Sequence, residues 1–129
     1  MPQQPVSASS LEPVLPPLFS VKAREAAEAC SRGKAVNTSS QIRRFYDELV
    51  MWNERVLTAK DPEAKFTEVA PYIQMLCAKC AYAKGRKLID ETFDTLLSDL
   101  ISQIKTPETL KRAKLFFEAF LGFKKAIES

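Results

Sequence analysis

Ala70-Pro-Tyr-Ile-Gln-Met-Leu-Cys-Ala-Lys-Cys-Ala-Tyr-Ala-Lys-Gly-Arg-Lys87 is the stretch whose reading decides the fold. Between Pro71 and Ala83, only Gln74 and Lys79 interrupt a run of apolar and small side chains. A helix apolar almost all round is expected to be surrounded by other elements. The segment therefore reads as the central helix of a helical domain. Pro71 suits its first turn, where the missing N–H has no partner to lose. Gly85 suits its end, as a left-handed closing residue. There the character changes: Lys84, Arg86 and Lys87 cluster round the glycine, so the basic end is expected to face outward.

The flanking sequence supplies further helices and no strand alternation. Towards the N-terminus, Asp61-Pro62-Glu63 is a cap, a first-turn proline and an acid, and predicts a helical piece to about Val69. That piece is either separate from the central helix or runs into it through a kink at Pro71. Before it, Thr38-Ser-Ser-Gln41 has the pattern of a capping box. Ile42, Phe45, Tyr46, Leu49, Trp52, Val56 and Leu57 follow at helical spacing, to about Lys60. Arg43–Asp47 and Arg44–Glu48 stand i,i+4 and are expected to pair. Ala23, Ala26, Ala27 and Cys30 mark a shorter helix over Val21 to Arg32, capped by Ser20, ended by Gly33 and lightly packed.

Residues 1–20 hold five of the eight prolines. They read as an extended or disordered tail whose Leu11, Val14, Leu15, Leu18 and Phe19 are available to dock on the body or on a neighbouring subunit. Beyond the central stretch, Phe93, Leu96, Leu97, Leu100, Ile101 and Ile104 predict a helix from about Ile89 to Lys105. Asp90, Glu91 and Asp94 fall in its first turns, where acids oppose the helix dipole. Thr106-Pro107-Glu108 opens a last helix with Leu110, Phe116, Phe117, Phe120, Leu121 and Phe123 inside. The expected fold is all-α: one bundle of about five helices over residues 21–129, after the Pro-rich tail 1–20.

Composition narrows the chemistry. The chain has 129 residues, 46% of them hydrophobic, which is enough for one core. It has no histidine, so the commonest acid–base group and zinc ligand is missing. Cys77-Ala-Lys-Cys80 lacks the remaining zinc ligands and a strand–helix redox context, and reads as core. Carboxylate pairs such as Asp47/Glu48 and Asp90/Glu91 fall opposite arginines or at helix starts. No phosphate loop, nucleophile elbow or metal motif is present. An enzyme, a cofactor and a bound metal are not expected. Neither is a membrane span, nor a secretory signal, so the cytoplasm is the expected location.

The net charge of +3 leaves a nucleic-acid role to the placement of the charge. Arg43 and Arg44 open one helix, while Lys84, Arg86 and Lys87 close another. Antiparallel packing of the two brings both groups to one end of the bundle, as a phosphate-binding patch or as a solvated helix end. The Phe-rich last helix reads as core. Tyr46 and Tyr82, beside basic residues, are able to sit half out of it.

Ser-Ser-Gln41-Ile-Arg43-Arg44-Phe45-Tyr46-Asp47 resembles a segment of the small subunit of type III-A CRISPR effector (Csm) complexes. Ala-Tyr82-Ala-Lys84-Gly85-Arg86 is similar to a later motif of that family. The ending Phe116-Phe117-Glu-Ala-Phe120-Leu-Gly-Phe123-Lys is similar to its C-terminus. The likeness covers about residues 38–125. It implies a non-catalytic helical protein, several copies of which associate with one another and with other subunits along a guide RNA–target RNA duplex. It points to Gln41, Arg43, Tyr46 and Arg86 as RNA contacts, and charge adds Arg44, Lys84 and Lys87. The alternative reading is a helical protein–protein adaptor without nucleic acid.

Overall fold

A computed structural model of the chain describes residues 10–12, 16–33 and 36–128, and the following holds for those residues. Five α-helices follow a 3₁₀ turn at Pro16–Phe19, with no strand: α1 Val21–Ala29, α2 Ser39–Leu57, α3 Pro62–Gly85, α4 Glu91–Ser102 and α5 Pro107–Glu128. The expected all-α bundle is found.

Side-chain caps set most of the starts. Thr38 Oγ1 accepts from the Gln41 N–H at the head of α2. Asp61 Oδ1 accepts from the Ala64 N–H of α3, and Thr106 Oγ1 from the Thr109 N–H of α5. Asp90 is itself the cap of α4, accepting from the Phe93 N–H at 3.1 Å, rather than a first-turn acid. Ser20 makes no side-chain cap to α1, and that helix ends at Ala29, short of Arg32.

The helices contact in the order α1, α5, α2, α3, α4. Phe93 of α4 reaches the middle, its ring centroid 5.7 Å from Phe45 and 6.1–6.2 Å from Phe120 and Phe117. The centre of the bundle is thus α5 with α2, and the expectation that α3 is surrounded is corrected. Only one stripe of α3 is covered: Phe66, Val69, Ile73, Leu76 and Cys80. Its other face is open, with Tyr72 54%, Met75 52% and Tyr82 67% exposed. Alanines and a second cysteine make the stretch look apolar all round, but no described element lies on its outer side.

Two further expectations about α3 change. Pro71 lies inside one continuous helix, not in a first turn, and is solvent-exposed. Its missing N–H therefore leaves the Thr67 carbonyl without its helical donor on the wet side, where water can serve. At the far end it is Lys87, with φ 63°, that adopts the left-handed conformation, while Gly85 is still helical. The Lys87 N–H donates to the Lys84 carbonyl and the Leu88 N–H to the Ala83 carbonyl, the Schellman pattern.

α1 is closely packed, not lightly. Ala23, Ala26, Ala27 and Cys30 are buried against α5, and their small size lets the two backbones approach. Leu11 and Leu18, from the segment read as a tail, are also buried. The Leu11 N–H donates to Gln103 Oε1 at 2.8 Å, and its carbonyl accepts from Arg112 at 3.2 Å. Val14 and Leu15 lie outside the described residues.

Two polar joints hold loops to helices. Asn37 is fully buried with φ 54°. Its amide donates to the Cys30 carbonyl and to Asp90 Oδ1, and its Oδ1 accepts from the Asp90 N–H. At the other joint, Glu128 accepts from the Ser39 N–H at 2.8 Å and the Ser39 hydroxyl at 2.5 Å, tying the end of α5 to the start of α2. Lys124, 2% exposed, pairs with the same carboxylate.

Candidate nucleic-acid interface

α2 and α3 form an antiparallel hairpin through the short turn at 58–61. Lys79 pairs with Glu48 at 2.6 Å, and Tyr72 stacks on Trp52 one to two turns further along. The head of α2 therefore lies beside the tail of α3, and a groove of about 470 Å³ opens between them. Phe45, Leu76, Ala83, Leu88 and Ile89 contribute its apolar lining, and Gln41, Arg44, Glu48, Lys79, Tyr82 and Arg86 its polar lining.

Of the residues selected from sequence, Gln41, Arg44 and Arg86 share this groove. Arg44 does not pair with Glu48 as expected, because Glu48 is held by Lys79 and by the Trp52 indole N–H. Arg86 lies over the Tyr82 ring at 5.9 Å. With its neighbours exposed, that guanidinium keeps its donors for another acceptor. Lys87 is exposed at the same helix end.

The other three are differently placed. Arg43 is exposed and pairs with Asp47 at 3.8 Å, as expected. Tyr46 faces α5: its hydroxyl donates to Glu118 at 3.0 Å and its ring packs on Phe117. Partial burial, then the Glu118 carboxylate, push its phenol above the usual range. Lys84 is clasped by Glu91, with Asp94 at 3.7 Å. Its hydrogen bond to Glu91 raises the ammonium above its ordinary value and correspondingly lowers the carboxyl.

Lys79 and Tyr82 also line the groove and are not among the contacts that motif and charge point to. The signal for them was the spacing 79, 82, 86, which puts both on the face of Arg86.

The thiols do not form a second site. Cys80 is buried and Cys77 half-buried. Burial pushes both thiols up, and Cys30 up to about 12. Among the described residues no group of His, Cys, Asp and Glu is arranged to hold a metal ion, and no helix is long and apolar enough to cross a membrane.

A family model described as Csm2 Type III-A matches residues 17–129, from the 3₁₀ turn through α5. No curated protein and no solved structure matches the chain. The matched region contains every residue of the groove, and the chain belongs to the Csm2 family, the small subunit of type III-A CRISPR effector complexes.

Proposed function

We propose that the chain is a non-catalytic RNA-contacting subunit, lining the guide RNA–target RNA duplex through its sugar–phosphate backbone in antiviral defence. The observation that carries this reading is the convergence of Arg44 and Arg86 on one groove, with Lys79 and Lys87 beside them. Among the described residues no ion pair forms at Arg44, so its planar fork is available to a phosphate. Gln41 adds a neutral donor. Arg43 exchanges a solvated partner for a phosphate at little cost, since exposed ion pairs contribute only about 0–1 kcal/mol. Lys84 and Tyr46 must first leave Glu91 and Glu118, and act as secondary contacts. Catalytic groups find no support: histidine is absent, and Asp61 and Asp90 serve as helix caps.

About three phosphate contacts per copy is few. With a slope near −0.9 per contact, raising salt from roughly 50 to 200 mM weakens binding about 40-fold. One copy therefore binds RNA feebly, and a row of neighbouring copies on the other subunits gains through effective concentration. The test is Arg44→Ala with Arg86→Ala in the reconstituted complex. RNA retention falls, the salt slope drops by about two, and the melting temperature of the free subunit is unchanged. Unaltered retention and slope refute the reading and favour the adaptor.

A further inference from the structure

α3 carries two stripes of the same alternating 3,4 spacing. Phe66, Val69, Ile73, Leu76 and Cys80 form the buried one. Tyr72, Met75, Lys79, Tyr82 and Arg86 form the other, and all five are exposed. A 3,4 repeat of this kind is the seam along which one helix meets another. Large apolar side chains on a soluble surface normally stand singly, not in a row.

The first half of the open seam is widened by α2. Trp52 stacks on Tyr72 with centroids 5.7 Å apart and planes 14° from parallel. Met51, Trp52, Tyr72 and Met75, with the Lys79–Glu48 pair at one end, line a shallow depression of about 180 Å³. Two aromatic anchors beside two adaptable methionines are the make-up of a protein-binding surface.

We propose that this shelf docks an acidic amphipathic helix from another subunit of the effector complex. Charge identifies the partner's chemistry. From Val69 to Lys87 the chain has four basic residues and no acidic one. Arg55 adds a fifth cation, 5.0 Å over the Trp52 ring; Lys79 is answered by Glu48 and Lys84 by Glu91, so among the described residues the unanswered charge of the rim is that of Arg55, Arg86 and Lys87. A helix that seats its apolar stripe on Tyr72 and Met75 lays its flanking positions along this positive rim, where Asp and Glu are favoured.

A second copy of the chain fits less well. Two such faces opposed bring like charges together. Among the described residues the other large exposed apolar side chains, Val21, Leu57 and Ile127, are scattered over three helices and offer no matching stripe. A phosphate backbone gains nothing from two methionines. The inference rests on the chain's place in the effector complex and not on its contact with RNA.

The test is Met75→Glu in the full chain, co-expressed with the other subunits, together with a benzophenone amino acid in place of Tyr72. Recovery of the Met75→Glu chain in the complex falls at least tenfold, while its free melting temperature stays near that of the wild type. Arg44→Ala, which alters the groove and lies off the shelf, leaves recovery intact, and this separates docking from RNA contact. The photo-crosslink joins an Asp- and Glu-rich helical segment of another subunit. Wild-type recovery of a folded Met75→Glu chain overturns the proposal, as does a crosslink to a second copy, to RNA, or to a segment without acids. Should Met75→Glu fail to fold, Met75→Ala and the crosslink decide by the same criteria.

Discussion

Replacing Asn37 by alanine strikes the joint where three segments meet. The substitution removes two donated bonds, to the Cys30 carbonyl at 3.2 Å and to the Asp90 carboxylate at 2.7 Å. It also removes the acceptor for the Asp90 N–H at 3.0 Å. A bond to a charged group contributes about 1.5–3 kcal/mol and a neutral one about 1 kcal/mol. Alanine held at φ 54° costs about 1 kcal/mol more, since asparagine tolerates the left-handed region better. The expected loss is about 5 kcal/mol, out of a typical total near 5–15 kcal/mol. For a chain of this size that lowers the melting temperature by roughly 15–20 °C.

The assay is equilibrium urea unfolding followed by helical circular dichroism. Asn37→Gly is the control: it removes the same bonds but accepts the backbone angle, and should recover about 1 kcal/mol relative to alanine. A loss below about 1 kcal/mol for Asn37→Ala, or a glycine variant no more stable than the alanine one, refutes the reasoning.

Lys87→Gly relieves the left-handed lysine at the end of α3 and should raise stability by up to about 1 kcal/mol in the same unfolding experiment, while modestly weakening RNA retention. At Glu128, burial pushes the carboxyl up, but the Ser39 hydroxyl and N–H and the Lys124 ammonium outweigh it, so the net shift is downward. Its contribution is therefore present above the unfolded carboxylate range near pH 4.3 and is lost as pH falls through the lower folded value. Thermal melts should show wild type more stable than Glu128→Gln at pH 7, with the difference shrinking below about pH 4. Ala27→Leu forces α1 away from α5 and should cost about 1–3 kcal/mol by denaturant unfolding, whereas a lightly packed helix would absorb it.

Periodicity and caps made the helices readable, because both are local. Thr38, Asp61 and Thr106 announce helix starts within four residues of sequence, and the phenylalanines of α5 fall on one face. What sequence did not disclose is relational. Whether an apolar helix is enclosed depends on how many neighbours it has, so α3 looked central and is half open. Asn37 resembles any loop asparagine until its partners at Cys30 and Asp90 are brought beside it. The groove was half legible. The hairpin of α2 and α3 follows from a short turn, which puts Arg44 near Arg86, but Glu48 choosing Lys79 over Arg44 is decided by distances across that hairpin.

The bonds that tie the chain's beginning to its end also set an order of events during synthesis. Leu11 waits for Gln103 and Arg112, Ser39 for Glu128, and α1 for α5. A nascent chain, growing at about 5–20 residues per second, has its earliest apolar residues without their destination until the last helix leaves the ribosome. Folding of this bundle accordingly waits for α5 to emerge, and a ribosome stalled before α5 displays an unfinished bundle.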